Sequence, residues 1–283
     1  YYKRLQYQEY DVTDLLRAEN RLTVTVGKGW YHSPMPGFTA SDFQKGLAAR
    51  PMGLLAQLEI TYEDGQRSFI VSDESWSVSE SAVRFSEIYD GEIYDASFIP
   101  PCSGTAETFD GPYETLIEQQ GEEIREQERI AAARIFTTPK GEVVAEITGY
   151  VEISVNAKAG EEIRLSHAEV LDKDGCFYTE NYRSARAEYC CICRDGQQSC
   201  HPRLTFFGFR YIRIDAFPGG PGAAKPENFT AVVLHSQMKR TGRLSCSNPL
   251  LNRLFDNIIW GQKGNFVDVP TDCPQRDERL GWT

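Results

Sequence analysis

Ser247-Asn-Pro-Leu-Leu-Asn-Arg-Leu-Phe-Asp-Asn-Ile-Ile259 is where the chain changes its periodicity. Leu250, Leu251, Leu254, Phe255, Ile258 and Ile259 recur in steps of three and four, which places them on one wide apolar face of a helix. Ser247 suits the N-cap, and Pro249 fits the first turn, where an amide hydrogen would have no partner in any case. Gly261 and Gly264 weaken the helix beyond that point. Upstream the apolar residues recur every second position. The chain is therefore expected to be mainly β, and to run into a helical domain of which only the start, 239–283, is present. An apolar helix face with nothing after it to cover it implies that this domain continues past Thr283.

Working back from the helix, Phe229 to Leu234 reads as a last strand, and Phe217-Pro-Gly-Gly-Pro-Gly222 as the loop before it. Val151, Ile153 and Val155 alternate, as do Ile163 and Leu165, while Phe207, Phe209 and Tyr211 continue the pattern with Ile212 and Ile214. Asp172-Lys-Asp-Gly175 lacks the further ligand positions of a calcium loop and reads as a tight turn. Residues 131–238 are thus expected to form one jelly-roll-like β-sandwich. Residues 106–130, acid-rich from Glu114 to Glu128, read as a solvated linker or an exposed strand edge. Residues 1–105 read as a first sandwich truncated at its start. In it Leu22, Val24 and Val26 alternate, Asp11 to Leu16 makes a helical turn, and Glu63-Asp-Gly-Gln66 joins a hairpin.

The 283 residues exceed one domain, and 41% apolar with 12% aromatic residues is ample for packed cores. A net charge of −11 disfavours nucleic acid and anionic membranes as partners, whereas a neutral, hydroxyl-rich ligand fits. No apolar run is long enough to span a bilayer. The eight cysteines are scattered apart from Cys190-Cys-Ile-Cys193 and Cys200-His201, which points to a reducing, cytoplasmic setting. Cys190 and Cys193 have the spacing of a zinc pair, but no second pair of that spacing follows, and alternation turns Cys191 and Cys193 into the core as small hydrophobes. No metal or cofactor is expected.

After the helix comes Asp268-Val-Pro-Thr-Asp272-Cys-Pro-Gln-Arg276-Asp277-Glu278-Arg279-Leu-Gly-Trp282-Thr283. Pro270 and Pro274 keep this charged stretch out of regular helix, so it is expected on a constrained loop carried by a rigid scaffold. Glycoside cleavage needs one protonated carboxyl group to donate to the leaving oxygen and a second carboxylate as base or nucleophile. Crowded carboxylates resist ionising together, which makes Glu278, beside Asp277 and with Asp272 nearby, the candidate donor. Arg276 can hydrogen-bond sugar hydroxyls, and Trp282 offers a flat apolar face to a sugar ring. Composition alone leaves a second reading open, a salt-bridged helix connector. Cys273 has no histidine near it in sequence and is not read as a nucleophile; His167 is read as packed, and Trp30 and Tyr31 as core or domain-interface residues.

Asn265-Phe-Val-Asp-Val-Pro-Thr-Asp-Cys-Pro-Gln-Arg-Asp-Glu-Arg-Leu-Gly-Trp-Thr283 closely resembles the active-site signature of the bacterial α-L-rhamnosidases of glycoside hydrolase family 78. Val26-Gly-Lys-Gly-Trp-Tyr31, Asp73-Glu-Ser-Trp76 and Tyr89-Asp-Gly-Glu-Ile-Tyr-Asp95 resemble that family's N-terminal β-domain. His167-Ala-Glu-Val-Leu-Asp172, Asn181-Tyr-Arg183 and Phe207-Gly-Phe-Arg-Tyr211 resemble its second. The resemblance implies an inverting exo-hydrolase that removes terminal α-L-rhamnose from glycosides or oligosaccharides, with β-sandwiches ahead of an (α/α)6 barrel. It implies Glu278 as general acid, Asp272 and Arg276 as holders of sugar hydroxyls, Trp282 as a wall of the pocket, and Asp277 among the substrate-binding residues. The family's general base is a glutamate beyond Thr283, so this stretch by itself is expected to be inactive. One departure stands out: Gly141-Glu-Val-Val-Ala-Glu-Ile147 is shorter than the family's run before Thr148-Gly-Tyr150. The rival expectations are a non-catalytic carbohydrate-binding or structural module, and a related exo-glycosidase for another sugar. A homodimer is compatible with either.

Overall fold

The computed structural model describes residues 4–32, 51–101, 104–146 and 150–278. Its centre is a seven-stranded sheet and a four-stranded sheet. In chain order their strands are β1 (Val83–Glu87), β2 (Gly91–Asp95), β3 (Ile124–Ala131), β4 (Arg134–Thr137), β5 (Val143–Glu146) and β6 (Tyr150–Ala157). They continue with β7 (Glu162–Ala168), β8 (Glu188–Ile192), β9 (Gly196–Cys200), β10 (Tyr211–Ala216) and β11 (Phe229–Ser236), and one long helix, α1 (Pro249–Asn265), follows. The larger sheet runs β4-β5-β10-β7-β8-β2-β1 and the smaller β9-β6-β11-β3.

Alternation explains why these two sheets stack. Val151, Ile153 and Val155 of β6, with Phe229 and Ala231 of β11, lie in one buried cluster with Ile163 and Leu165 of β7 and Ile212 and Ile214 of β10. Every second side chain of each strand enters this layer, which is the packing of a sandwich. Cys191 and Cys193 lie in the same core, as their alternation predicts, and Cys200 joins them. The architecture is mainly β with the helix at its end.

The stretch 106–130 is not simply a linker. Leu116–Glu118 pairs in parallel with Leu5–Tyr7, and β3 adds to the edge of the smaller sheet through β11. All eight residues of β3 are exposed, and its arginines and glutamates along a free edge discourage further strand addition. The boundary expected near residue 105 also cuts through a sheet. β1 and β2 precede it, yet β2 pairs in parallel with β8 from Glu188↔Gly91 to Ile192↔Asp95. One cause is the buried carboxylate of Glu92, which accepts the amides of Arg203 and Leu204 at 2.9 and 2.8 Å and ties β2 to the loop ahead of β10.

Local expectations are met unevenly. Gln57–Thr61 and Arg67–Val71 form the hairpin, Thr13–Leu15 forms the helical turn, and Asp172 accepts the amides of Asp174 and Cys176 to make the tight turn. Trp30, half-buried, packs edge-on to the buried Tyr89 at 5.9 Å. Leu22, Val24 and Val26 instead remain exposed and outside any strand, because alternation alone supplies no pairing partner. The helix is capped by Asn248, whose side chain accepts the Leu250 amide at 2.9 Å, and not by Ser247. It then runs through Gly261 and Gly264 to Asn265. None of its residues is buried, and no described helix is long and apolar enough to cross a membrane.

His167 is packed, as expected. Its ring stacks on Phe207 at 3.9 Å and meets Phe209 edge-on at 4.6 Å, and Nδ1–H donates to the Ala187 carbonyl at 2.6 Å. Burial pushes its pKa down from 6.5 to about 4. Between those values the unfolded chain binds the proton and the folded chain does not. Stability from this group is therefore complete above pH 6.5 and falls, by about 3 kcal/mol in all, as pH drops to about 4. Urea unfolding at pH 7 and pH 4.5 should show a steeper acid loss for the parent than for His167→Phe. Equal losses would remove His167 as the cause.

Candidate active site

The terminal loop is built by a sharp exit from α1. Phe266–Val267 folds back on Val269–Pro270 around Asp268, which adopts φ 70 and donates its amide to Ser236 Oγ at the end of β11. Thr271, fully buried, donates its amide to the Asn265 carbonyl at 2.9 Å, and Asp272 turns the chain again with φ 64. Aspartate tolerates these left-handed conformations better than most residues.

The loop is also seated against the connections between the sandwich's strands. Gly208 donates its amide to the Pro274 carbonyl at 3.2 Å, and a Cβ at Gly208 would lie 2.8 Å from Gln275 N. Only a glycine allows that approach. The buried Tyr182 donates its hydroxyl to the Gly208 carbonyl at 2.8 Å, and Glu169 accepts from both Gln275 and Asn181, at 3.1 and 3.4 Å.

This seat gathers the charges. Arg276 Nη2 lies 2.5 Å from Glu278 Oε2, and Arg183 Nη1 lies 3.3 Å from the same oxygen. Asp272, Cys273 and Glu278 each bring one side-chain O or S atom within 4.8 Å of the others. Asp277 is 7% exposed, accepts a hydrogen bond from the Ser184 hydroxyl, and lies 3.5 Å from Arg183 Nε. Asp272, Arg276 and Glu278 are thus brought together, and Asp277 is linked to Glu278 through Arg183 and to the sandwich through Ser184. Trp282 lies outside the described residues. Glu169, Arg183, Ser184 and Gly208 are partners that sequence reading did not assign to the site; the signal for three of them was that His167-Ala-Glu-Val-Leu-Asp172, Asn181-Tyr-Arg183 and Phe207-Gly-Phe-Arg-Tyr211 stood out as motifs.

The donor sets do not favour a metal. Around Asp272, Cys273 and Glu278, the Arg276 and Arg183 guanidinium groups already supply positive charge, and burial raises the Cys273 thiol, which keeps it from acting as a thiolate. Cys191, Cys193 and Cys200 also have sulfurs within 4.8 Å of one another. There, burial pushes the Cys193 thiol up to about 11, and His201 turns Nδ1 to the Pro202 carbonyl at 3.0 Å. A tetrahedral zinc site needs a fourth ligand that this group of three does not provide. Asn181 Oδ1, Asn265 Oδ1, Arg276 Nε and Asp277 Oδ1 are buried without a protein hydrogen-bond partner. Buried polar atoms are normally paired, so Asn181 Oδ1, Asn265 Oδ1 and Arg276 Nε retain hydrogen-bonding capacity.

Comparison with known proteins places this β-sandwich and the loop seated on it. Residues 1–148 match the family described as the alpha-L-rhamnosidase N-terminal domain, 139–235 the bacterial alpha-L-rhamnosidase concanavalin-like domain, and 239–283 the bacterial alpha-L-rhamnosidase six-hairpin glycosidase domain. The chain belongs to the bacterial α-L-rhamnosidase family. It is 36% identical over 305 residues to an α-L-rhamnosidase of Formosa agariphila, covering 100% of this chain and 32% of that protein. An α-L-rhamnosidase of Streptomyces avermitilis is 38% identical over 301 residues, covering 100% and 28%. The chain therefore spans about a third of the length of these curated relatives. Among solved structures, the native α-L-rhamnosidase from Aspergillus terreus superposes with a TM-score of 0.87 at 35% identity, covering 100% of this chain and 34% of that one. The Streptomyces avermitilis enzyme complexed with L-rhamnose gives 0.73 at 35% identity, covering 81% and 24%.

Proposed function

We propose that this chain carries the proton-donating half of an α-L-rhamnosidase active site, acting on glycosides with a terminal α-L-rhamnose. The observation that carries this reading is the convergence of Asp272, Arg276 and Glu278 on one loop seated against the sandwich, in a member of this family. In the reaction the Glu278 carboxyl group gives its proton to the glycosidic oxygen as the bond from that oxygen to C1 breaks. A water oxygen bonds C1 from the opposite face, and its proton passes to a second carboxylate. The loop does not supply that second group through Asp272, whose carboxylate approaches Glu278 within 4.8 Å. An inverting pair stands about 6.5–9.5 Å apart to admit the water. Asp272, Arg276 and Asp277 are instead assigned to holding the sugar, and Trp282 to the wall of its pocket.

Proton NMR of the full-length protein with an aryl α-L-rhamnoside tests this reading. β-L-rhamnose should form first and then equilibrate. Initial release of the α-anomer would overturn the inverting mechanism, and no release of rhamnose would overturn the substrate assignment.

A further inference from the structure

We propose that Arg183, which belongs to the sandwich and not to the terminal loop, is a positioning residue for the Asp277–Glu278 pair. The inference rests on the reading of Glu278 as proton donor. Arg183 adopts φ 60 and ψ −114, a conformation suited to glycine and strained for arginine. Such strain persists where surrounding contacts fix it, and here they are specific. On one side Tyr182 is anchored through its hydroxyl to the Gly208 carbonyl; on the other Ser184 donates its hydroxyl to Asp277. Between them the guanidinium spans both carboxylates, with Nε 3.5 Å from Asp277 Oδ1 and Nη1 3.3 Å from Glu278 Oε2.

The twisted backbone is what turns the side chain towards the loop. Arg183 and Arg276 then meet Glu278 at one oxygen, Oε2, which leaves Oε1 as the oxygen free to face a leaving group. Arg276 travels with the loop, whereas Arg183 is fixed to a β-sandwich. Arg183 therefore registers the donor against the rigid part of the molecule. An error of about 1 Å in such placement can cost on the order of 100-fold in rate.

Arg183→Gly tests this, because glycine relieves the backbone strain while deleting the guanidinium. In the full-length protein kcat on an aryl α-L-rhamnoside should fall roughly 10- to 100-fold, with KM within about threefold and the thermal midpoint at or above the parent's. Arg183→Lys should recover part of kcat. Unchanged kcat in Arg183→Gly, or a loss that only follows a lowered thermal midpoint, would overturn the proposal. If the parent releases no rhamnose, the functional reading has failed, and the grip on the carboxylates is decided separately. Melting of Arg183→Gly, Asp277→Asn and the double variant should then be non-additive, and additive shifts would overturn the positioning contact.

Discussion

Glu278→Gln in the full-length protein is expected to lower kcat on an α-L-rhamnoside by about 100- to 10,000-fold, the range that a lost general acid produces. Glutamine keeps the size and shape of the side chain and a carbonyl oxygen for Arg276 and Arg183, so the loop should stay seated and rhamnose affinity should change little. The size of the loss should depend on the leaving group. A nitrophenolate departs readily without a proton, whereas a sugar alkoxide does not, so the deficit should be largest with a rhamnosyl disaccharide and smallest with a nitrophenyl rhamnoside. That gradient separates proton donation from damage to the fold, which would slow every substrate alike. Near-normal turnover of the disaccharide by Glu278→Gln would remove Glu278 from the chemistry.

What could be read beforehand was whatever is local in sequence. The stripe from Leu250 to Ile259 specifies α1, and alternation of Val151, Ile153 and Val155 specifies a core strand, because each pattern reports its own element's geometry. The terminal loop was legible for the same reason: Asp272, Arg276 and Glu278 lie within seven residues of one another. The failures share one physical cause. Leu22 to Val26 alternates without a partner strand to pair with, and the acid-rich stretch 106–130 reads as either a linker or an exposed strand edge until β11 gives β3 its ladder. Arg183 meets Glu278 across a separation of 95 residues, and Gly208 meets Pro274 only once the sandwich is closed. Neither the positive φ of Arg183 nor the bond of Asp277 to Ser184 has a signature in composition, since both arise from tertiary contact.

Gly91→Ala is expected to destabilise the fold by on the order of 4 kcal/mol or more, at the exceptional end of single substitutions. Gly91 opens β2 with φ +112, and a Cβ there would stand 1.7 Å from the Glu188 carbonyl oxygen and 3.0 Å from the Glu188 amide nitrogen. Both are backbone atoms of the partner strand, so no side chain can swing aside. β2 must instead lift from β8, losing the parallel pairing that joins the residues before 105 to the sandwich. Gly65→Ala provides the control, because Gly65 has a comparable φ of +81 with nothing within 4 Å of its Cβ position. It should lose only the conformational term, about 1–2 kcal/mol. Urea unfolding that shows equal losses for the two variants would mean that the crowding at Glu188 is relieved by a small shift. The damage should also reach the site. Ala187 donates its amide to the Tyr89 carbonyl at 2.9 Å, so the turn that carries Arg183 and Ser184 is held on one flank by the β1–β2 hairpin. Gly91→Ala should therefore lower kcat even at temperatures where the sandwich remains folded, by freeing the turn that holds the Asp277–Glu278 pair.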